Sequence, residues 1–427
     1  MGVQGIMNPK KVLVVAPLLS KSGYGVHARF VVDALSTRPD LFDLYVSPLT
    51  WGESSWMYEN TPKKKFYDFL IQKGANFQGP YDISAQVTIP TEWQNFAKIN
   101  VGITAGVETN KVPLPWIQRC NSMDKLIVTS QHTKNTFTQT KYDVKSEIND
   151  EVLSLVGCQK PVEVVTYPVK NITPIDLSDR IKFPCDFNFL SVTQIAPRKN
   201  MEALIKWFIE EFRNEDVGLV LKAHGANNST PDRDRTEGIL RKFVEEQGER
   251  KCKIHHIHGS MTDEELHGLY IHPQIKCYAT ATHGEGFGLP IYEAAYSGLP
   301  VIAPNWSGHK DFLSIKKDTG TGRTKKEVCF ERVAVEFENI PAHALMEGII
   351  TSDMSWCSPK EDKFKRAMRD VYTQHIGKKK IAEKLQTYLV ETFSEENQFA
   401  AMCDGVWTAY ENETTAWAGQ MEEIQTL

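Results

Sequence analysis

The chain has 427 residues, 41% of them apolar and 24% charged, and a formal net charge of −5. That length exceeds one ordinary core and predicts two domains of about 150–200 residues each. The composition is that of a soluble globular protein, and the acidic balance excludes a generally basic nucleic-acid-binding surface.

Eight scattered cysteines, at positions 120, 158, 185, 252, 277, 329, 357 and 403, form no C-x-x-C pair. They read as reduced, mostly buried thiols of a cytoplasmic protein. The start, MGVQGIMNPKK, lacks the apolar segment of a signal peptide, and Ile6 stands where a myristoylation signal wants Ser or Thr. No stretch approaches about 18 uninterrupted apolar residues, so no membrane-spanning helix is expected. N-x-[ST] triplets such as Asn305-Trp306-Ser307 then carry no glycosylation meaning.

In chain order, KVLVVAPLL (Lys11 to Leu19) reads as a strand buried on both faces of a parallel sheet. The glycine loop SKSGYG and a helix carrying Val26, Phe30, Val31, Ala34 and Leu35 follow it. Further strands are expected at Asp43 to Leu49, Tyr81 to Val87, Asn100 to Thr104 and Lys125 to Thr129, with a helix from Ser130. Residues 161–184 are irregular and proline-rich, which places a domain boundary near residue 178. The alternation restarts with a strand over Phe187 to Thr193 and a helix, MEALIKWFIEEF, whose core face is Leu204, Trp207 and Phe208. Next come VGLVLKAHG (strand), TEGILRKFVEEQG (helix), KIHHIHG (strand), TDEELHGLYIHP (helix) and IKCYATAT (strand). A helix over Leu289 to Ser297 and the strand VIAP complete a second doubly wound α/β domain. The remainder is helical, with Ser358 as an N-cap and Pro359 at a first helical position. The expected division is an N-terminal Rossmann-like domain over 1–178, a second over 179–390, and helices over 391–427 packing back on the first.

Three segments carry chemistry. Glu285 and Glu293 lie eight apart with Gly286-Phe287-Gly288-Leu289-Pro290 between. Glycines after a strand let backbone approach a ligand, and a helix starting near Leu289 turns its first N–H groups toward an anion such as a diphosphate. Glu293, about one turn in, can accept hydrogen bonds from ribose hydroxyls, while Glu285 in the loop reaches a donor sugar. Arg198 and Lys199 precede a helix, where cations suit a phosphate better than the helix itself. Gly23, Tyr24 and Gly25 form a strand-to-helix turn that admits a ligand or another backbone.

Together these residues resemble the retaining glycosyltransferases of family 4, built on the GT-B architecture of two Rossmann-like domains facing across a cleft. The E-x7-E signature is matched by Glu285 and Glu293, its E-G-F-G-L-P core at Glu285 to Pro290, and E-A-x-x-x-G-x-P-V-I-A from Glu293 to Ala303. Gly308 and Asp311 stand where the family has G-x-x-E, Lys199 at its phosphate-binding lysine, and Ser22 to Gly25 at its first glycine loop. PLPWIQRCNSMDKLIVTS (Pro113 to Ser130) is similar to a P-x-x-W…D-x-I-x-x-P-S pattern, with Thr129 in place of proline. Three features depart from the pattern. Thr193-Gln194-Ile195 replaces a G-R-L triplet, leaving Arg198 to take over its phosphate contact. Ala105 to Asn110 has Val107 and Glu108 where an H-E-P histidine is common, making Glu108 a candidate acceptor contact. A basic loop, KKDTGTGRTKK, follows Asp311.

The resemblance implies transfer of a sugar from a nucleoside diphosphate to an acceptor hydroxyl with retention, by a front-face route that requires no metal. Lys199, Arg198, Glu285, the helix N-terminus after Gly288 and the Gly23–Gly25 loop are its expected machinery. Glu293, Gly286, Phe287, Gly288 and Leu289 bind the donor, with Gly259, Ser260 and Met261 near its base. The acceptor is open among a glycan, a lipid-linked glycan and a modified DNA base. Lys63-Lys64-Lys65, just after Trp51, Trp56 and Tyr58, reads as a solvated loop before it reads as a membrane or DNA contact. A nucleotide-sugar epimerase and a non-catalytic nucleotide-sugar-binding protein of the same fold are the competing readings. Two metal motifs are set aside: Asp232-Arg233-Asp234 lies in a polar stretch expected to be a loop, and His255, His256 and His258 have no acidic or cysteine partner nearby in sequence.

Overall fold

The computed structural model describes residues 8–145, 152–318 and 324–425. The Met-Gly start and residues 319–323 of the basic loop lie outside them. The chain divides into two compact units. One runs to Val107, resumes over Lys111–Pro168 and is completed from Glu395 on; the other takes Glu108–Asn110 and Val169–Ser394. The division thus falls at Pro168, ahead of the boundary expected near residue 178. The proline-rich segment beyond it is held by the second unit, through Ile175 N–H to the Glu264 carbonyl (3.1 Å) and Phe183 N–H to Gln274 Oε1 (3.0 Å).

In the first unit β1 (Lys10–Ala16), α1 (Gly23–Ser36), β2 (Phe42–Pro48), α2 (Pro62–Ala75), β3 (Tyr81–Val87) and β4 (Ala97–Thr104) come first. They are followed by α3 (Leu114–Asn121), β5 (Lys125–Val128), α4 (Gln131–Gln139), the hairpin strands β6 (Lys141–Lys145) and β7 (Val152–Gly157), and β8 (Val162–Val164). A parallel six-stranded sheet has the order β2-β1-β3-β4-β5-β8. Short β8 lies inside the segment expected to be irregular; three residues are too few for periodicity to reveal. Ser22 caps α1 by accepting the Gly25 N–H (3.1 Å), and the helix buries His27, Phe30, Val31, Ala34 and Leu35. Lys63, Lys64 and Lys65 form the first turn of α2 rather than a loop. Thr61 caps that turn, and Lys63 and Lys64 pair with Asp33 (2.8 Å) and Asp68 (2.7 Å).

The second unit contains β9 (Asn188–Gln194), α5 (Met201–Phe212), β10 (Gly218–His224), α6 (Thr230–Glu245), β11 (Lys253–Ile257), α7 (Asp263–Tyr270), β12 (Ile275–Ala279), α8 (Leu289–Tyr296) and β13 (Val301–Pro304). The hairpin β14 (Ser314–Asp318) and β15 (Thr324–Val328), strand β16 (Glu331–Val333), the hairpin β17 (Val335–Asn339) and β18 (Ser355–Pro359), then α9 (Glu361–Thr373) and α10 (His375–Thr392) complete it. In its parallel sheet, of order β11-β10-β9-β12-β13-β16, the strand order reverses between β9 and β12. In open α/β sheets ligands bind outside the carboxyl ends of strands at such a reversal. One face packs Phe189, Leu219, Leu221 and Cys277 against Leu204, Phe208 and Phe212 of α5 and Phe364 and Met368 of α9.

Three expectations are corrected here. The helix α6 begins at Thr230, capped by Ser229 with Pro231 in its first turn, so Asp232 and Asp234 lie on a helix and not in a loop. Ser358 and Pro359 end β18 instead of starting a helix, because pairing Val335 with Pro359 and Glu336 with Ser358 outweighs the local capping signal; α9 starts at Glu361. On either side of residues 319–323 the basic stretch after Asp311 pairs as strands β14 and β15, with Lys316 opposite Lys326.

The final helix, α11 (Glu395–Gln425), belongs to the first unit. Its Phe399 ring lies 6.0 Å from Phe30 of α1, and Thr408 Oγ1 accepts from Lys125 Nζ at 2.7 Å. All eight cysteines are free thiols. Among the described residues no helix is long and apolar enough to cross a membrane.

The Phe208 side chain is fully buried at the centre of the α5–sheet layer. Phe208→Ala is expected to lower the unfolding free energy by about 3–5 kcal/mol in urea denaturation, the range for a large side chain removed from a packed core.

Candidate functional site

The chain leaves β9 through a 3-10 turn, Pro197–Lys199, ending on Asn200 in the left-handed region (φ 49°). Asn200 Nδ2 donates to the Ala281 carbonyl (3.1 Å) and His283 N–H to the Arg198 carbonyl (2.8 Å). These bonds tie the loop after β9 to the loop after β12, one on each side of the reversal. Lys199 Nζ donates to Glu285 Oε1 at 2.6 Å. Arg198 lies between two carboxylates, Glu285 Oε2 at 3.2 Å and Glu108 Oε1 at 3.0 Å, and also donates to the Gly284 carbonyl at 2.6 Å. Glu108 belongs, with Thr109 and Asn110, to the second unit, although the chain on either side of these three residues belongs to the first. Asn110 holds that detour by exchanging bonds with Ser355: N–H to carbonyl and Oδ1 from N–H, both 2.9 Å.

Glu285 is 6% exposed. Burial acts to raise its pKa, but the Lys199 and Arg198 charges and the Lys199 hydrogen bond outweigh it and hold the carboxyl at about 2. Burial and the neighbouring Arg198 draw the Lys199 ammonium below its ordinary value, against the pull of Glu285 and Glu108. The Glu285 backbone is fixed as firmly as its side chain: its N–H donates to Ser307 Oγ (2.9 Å) and its carbonyl accepts from Gly308 N–H (2.9 Å). Gly308 has no room for a side chain, since a Cβ there would lie 2.0 Å from the Gly286 carbonyl oxygen.

Gly288 (φ 96°) turns the chain into α8, whose first turn contains Pro290 and has no side-chain cap. Its opening N–H groups are thereby available to an anion. Phe287 packs its ring between Tyr292 (5.2 Å) and Phe312 (4.9 Å), so its side chain serves the core and only its backbone borders the loop. Leu289 is half-buried at the helix start, and Gly286 is buried. Glu293 Oε2 accepts from the Tyr270 hydroxyl (3.1 Å), and Lys170 Nζ lies 3.8 Å from Oε1. Burial raises the Glu293 pKa, partly offset by Lys170.

Gly259 (φ 105°), Ser260 and Met261 follow β11 at the same carboxyl edge of the sheet, Ser260 exposed and Met261 half-buried. Gly23, Tyr24 and Gly25 lie in the first unit. The Tyr24 hydroxyl bonds Thr104 Oγ1 (2.8 Å) and its ring stacks on Trp51 (4.2 Å). A Cβ on Gly25 would meet the Ser20 carbonyl oxygen at 1.9 Å, so close approach of the chain's own backbone accounts for that glycine.

The metal-type motifs have other work. Asp232 is buried, and its carboxylate accepts the N–H groups of Gly225 (3.0 Å), Ala226 (2.9 Å) and Asn228 (2.9 Å). The acidic partner that sequence proximity did not give His258 is this same Asp232, 3.4 Å from Nε2. His256 bonds the Ala223 carbonyl (3.0 Å), His255 lies against Phe183, and Asp234 pairs with Arg233. Among the described residues no three His, Cys, Asp or Glu side chains gather as a metal site. Nothing local in the sequence marks Lys170, and Asp232 reads there as part of a metal-type motif and not as a loop anchor; Lys222 is marked only as a lysine inside the apolar strand LVLKA.

Residues 180–325 match the family described as glycosyl transferases group 1. The alpha-1,3/1,6-mannosyltransferase ALG2 of Mus musculus is 26% identical over 251 residues, covering 54% of this chain and 54% of that protein. The serotype-specific mannosyltransferase WbdA of Escherichia coli is 28% identical over 224 residues, covering 51% of this chain and 25% of that protein. The chain thus spans about half the length of the first and a quarter of the second. Among solved structures, a sucrose-phosphate synthase from Thermosynechococcus elongatus aligns over 96% of this chain and 100% of that one, with TM-score 0.59 and 14% identity. Anabaena HepE in complex with UDP and glucose aligns over 93% and 100%, with TM-score 0.50 and 12% identity. The structural likenesses show the fold, two Rossmann-like units of GT-B type, while the family match and the mannosyltransferase relatives support a glycosyltransferase.

The depressed pKa of Glu285 fixes the sign of its pH effect. Its stabilising charge is fully present above the ordinary carboxylate value near 4.5 and is lost as the pH falls toward about 2. Glu285→Gln is therefore expected to melt below wild type at neutral pH, with the gap closing between pH 5 and pH 2. A thermal-melt series over that range checks it; a gap independent of pH contradicts the ion-pair assignment.

Proposed function

We propose that the chain is a retaining glycosyltransferase that moves a hexosyl or pentosyl group from a nucleoside diphosphate to an acceptor hydroxyl without a metal ion. The observation that carries the reading is the juxtaposition of Lys199, Arg198 and Glu285 at the sheet's reversal, beside the uncapped start of α8. Two cations and a helix N-terminus suit a diphosphate, and a buried carboxylate between them suits sugar hydroxyls.

Within the cluster the two cations are neutralised by Glu285 and Glu108. A diphosphate replaces the carboxylates on Lys199 and Arg198, which frees Glu285 to accept hydrogen bonds from the sugar. Glu293, steadied by Tyr270, accepts from the ribose, and the turn Gly259–Met261 borders the base. As the bond from the anomeric carbon to the phosphate oxygen breaks, negative charge grows on the diphosphate. Lys199, Arg198 and the α8 N–H groups stabilise it. The acceptor oxygen bonds the anomeric carbon on the same face, and its proton passes to the departing diphosphate. Glu108 contacts the acceptor once Arg198 releases it. The relatives' names favour a hexose: two are mannosyltransferases, and HepE holds UDP and glucose.

Lys199→Ala is expected to lower kcat/KM by about 10²–10³-fold, the loss seen when one preorganised donor to a developing anion is removed. Glu293→Ala raises the donor KM by about tenfold with a smaller effect on kcat. Transfer from labelled sugar nucleotides, offered a glycan, a lipid-linked glycan and hydroxymethylated DNA in turn with chelator present, checks both variants and finds the acceptor. Sugar-nucleotide isomerisation without acceptor would establish the epimerase instead, and binding without turnover the non-catalytic protein.

A further inference from the structure

Lys222 sits near the carboxyl end of β10, in register with Val192 of β9 and Ile257 of β11. Its strand neighbours Leu219, Val220, Leu221 and Ala223 are all buried and apolar. Leu221 and Ala223 face the core under α5, so by strand alternation Lys222 points to the opposite face. Only 7% of the residue is exposed. An ammonium here loses its hydration, and burial correspondingly draws its pKa down. An apolar residue would avoid that cost, so the hydrogen bond the lysine makes matters. Among the described residues it makes one, from Nζ to the Gly259 carbonyl at 2.6 Å.

That carbonyl belongs to the first residue of the turn after β11. Gly259 has φ 105°, a conformation that L side chains rarely adopt, and nothing lies within 4 Å of where its Cβ would be. The position of that Cβ is open, at the carboxyl edge of the sheet where Lys199 follows β9 and Glu285 follows β12. The adjoining loop after β10 is pinned in the same manner, by Asp232 accepting three of its backbone N–H groups. Each of these two loops is therefore fixed by one buried charged side chain.

We infer that Lys222 is a positioning residue for the donor nucleotide: by anchoring the Gly259 carbonyl it holds the Gly259–Met261 turn in the shape against which the base lies. This rests on the reading that the sheet edge takes a nucleoside diphosphate. Lys222 acts on the nucleoside end alone, because its one bond goes to the turn after β11 and not to the cluster around Glu285.

The test is calorimetric titration of the full chain, wild type, Lys222→Met and Gly259→Ala, with UDP, GDP and inorganic pyrophosphate. Both variants should weaken the preferred nucleoside diphosphate by about tenfold, the loss of one charge-assisted hydrogen bond, and leave pyrophosphate binding within about twofold. Donor KM rises correspondingly, with kcat within about twofold. Gly259→Ala disturbs the same turn without emptying the interior, so the selective loss is readable even if Lys222→Met fails to fold. Unchanged nucleotide binding, or equal losses for nucleotide and pyrophosphate, overturns the inference while wild-type binding upholds the functional reading. Wild type that binds neither nucleotide overturns both.

Discussion

A carboxylate as deeply buried as Glu285 has lost most of its hydration, and taking such an ion out of water costs several kcal/mol. Lys199 at 2.6 Å and Arg198 at 3.2 Å offset that cost, and Glu108 in turn balances Arg198. The four side chains form an alternating row of charges in which no member stands without its neighbour: removing one partner of such a buried pair costs about 3–5 kcal/mol. Much of the second unit's loop geometry follows from this requirement. The strained Asn200, the side-chain-free Gly308 and the Glu108–Asn110 detour all bring or hold a member of the row in place.

The same row explains how a site can be preorganised and still be open to exchange. On the proposed reading a diphosphate carries the charge that Glu285 and Glu108 supply here, so that binding would substitute one set of anions for another without leaving a cation bare. Both loops are held by hydrogen bonds of their backbones that do not involve the carboxylates, so on the proposed reading the exchange moves side chains alone. Rigid donors aimed at a developing anion are the arrangement in which electrostatic stabilisation is most effective.

Long periodic elements were legible in the sequence. The strand Tyr81–Val87, the helix Met201–Phe212 and the strand Val301–Pro304 have the expected bounds, because each buries a continuous or one-sided apolar pattern that its neighbours do not contest. Short strands in hairpins were not, since β17 and β18 owe their existence to each other, and the Ser358-Pro359 capping signal yielded to that pairing. In the site, the letters from Glu285 to Pro290 located the loop and the start of α8. They carried no information about what touches Glu285. Its contact with Arg198, and that of Arg198 with Glu108, join residues far apart in the chain. Asp232 and Lys222 were hidden for a similar reason: a charged residue reads as solvated until the distant backbone groups that bind it are known.

The row of charges is tested most directly by a crystal structure of the protein soaked with UDP or GDP. Phosphate oxygens are expected within hydrogen-bond distance of Lys199 Nζ and the Arg198 guanidinium, with the Glu108–Arg198 pair opened and the ribose on Glu293. A nucleotide bound away from the β9–β12 reversal, or bound with Lys199–Glu285 and Arg198–Glu108 both intact, would contradict it.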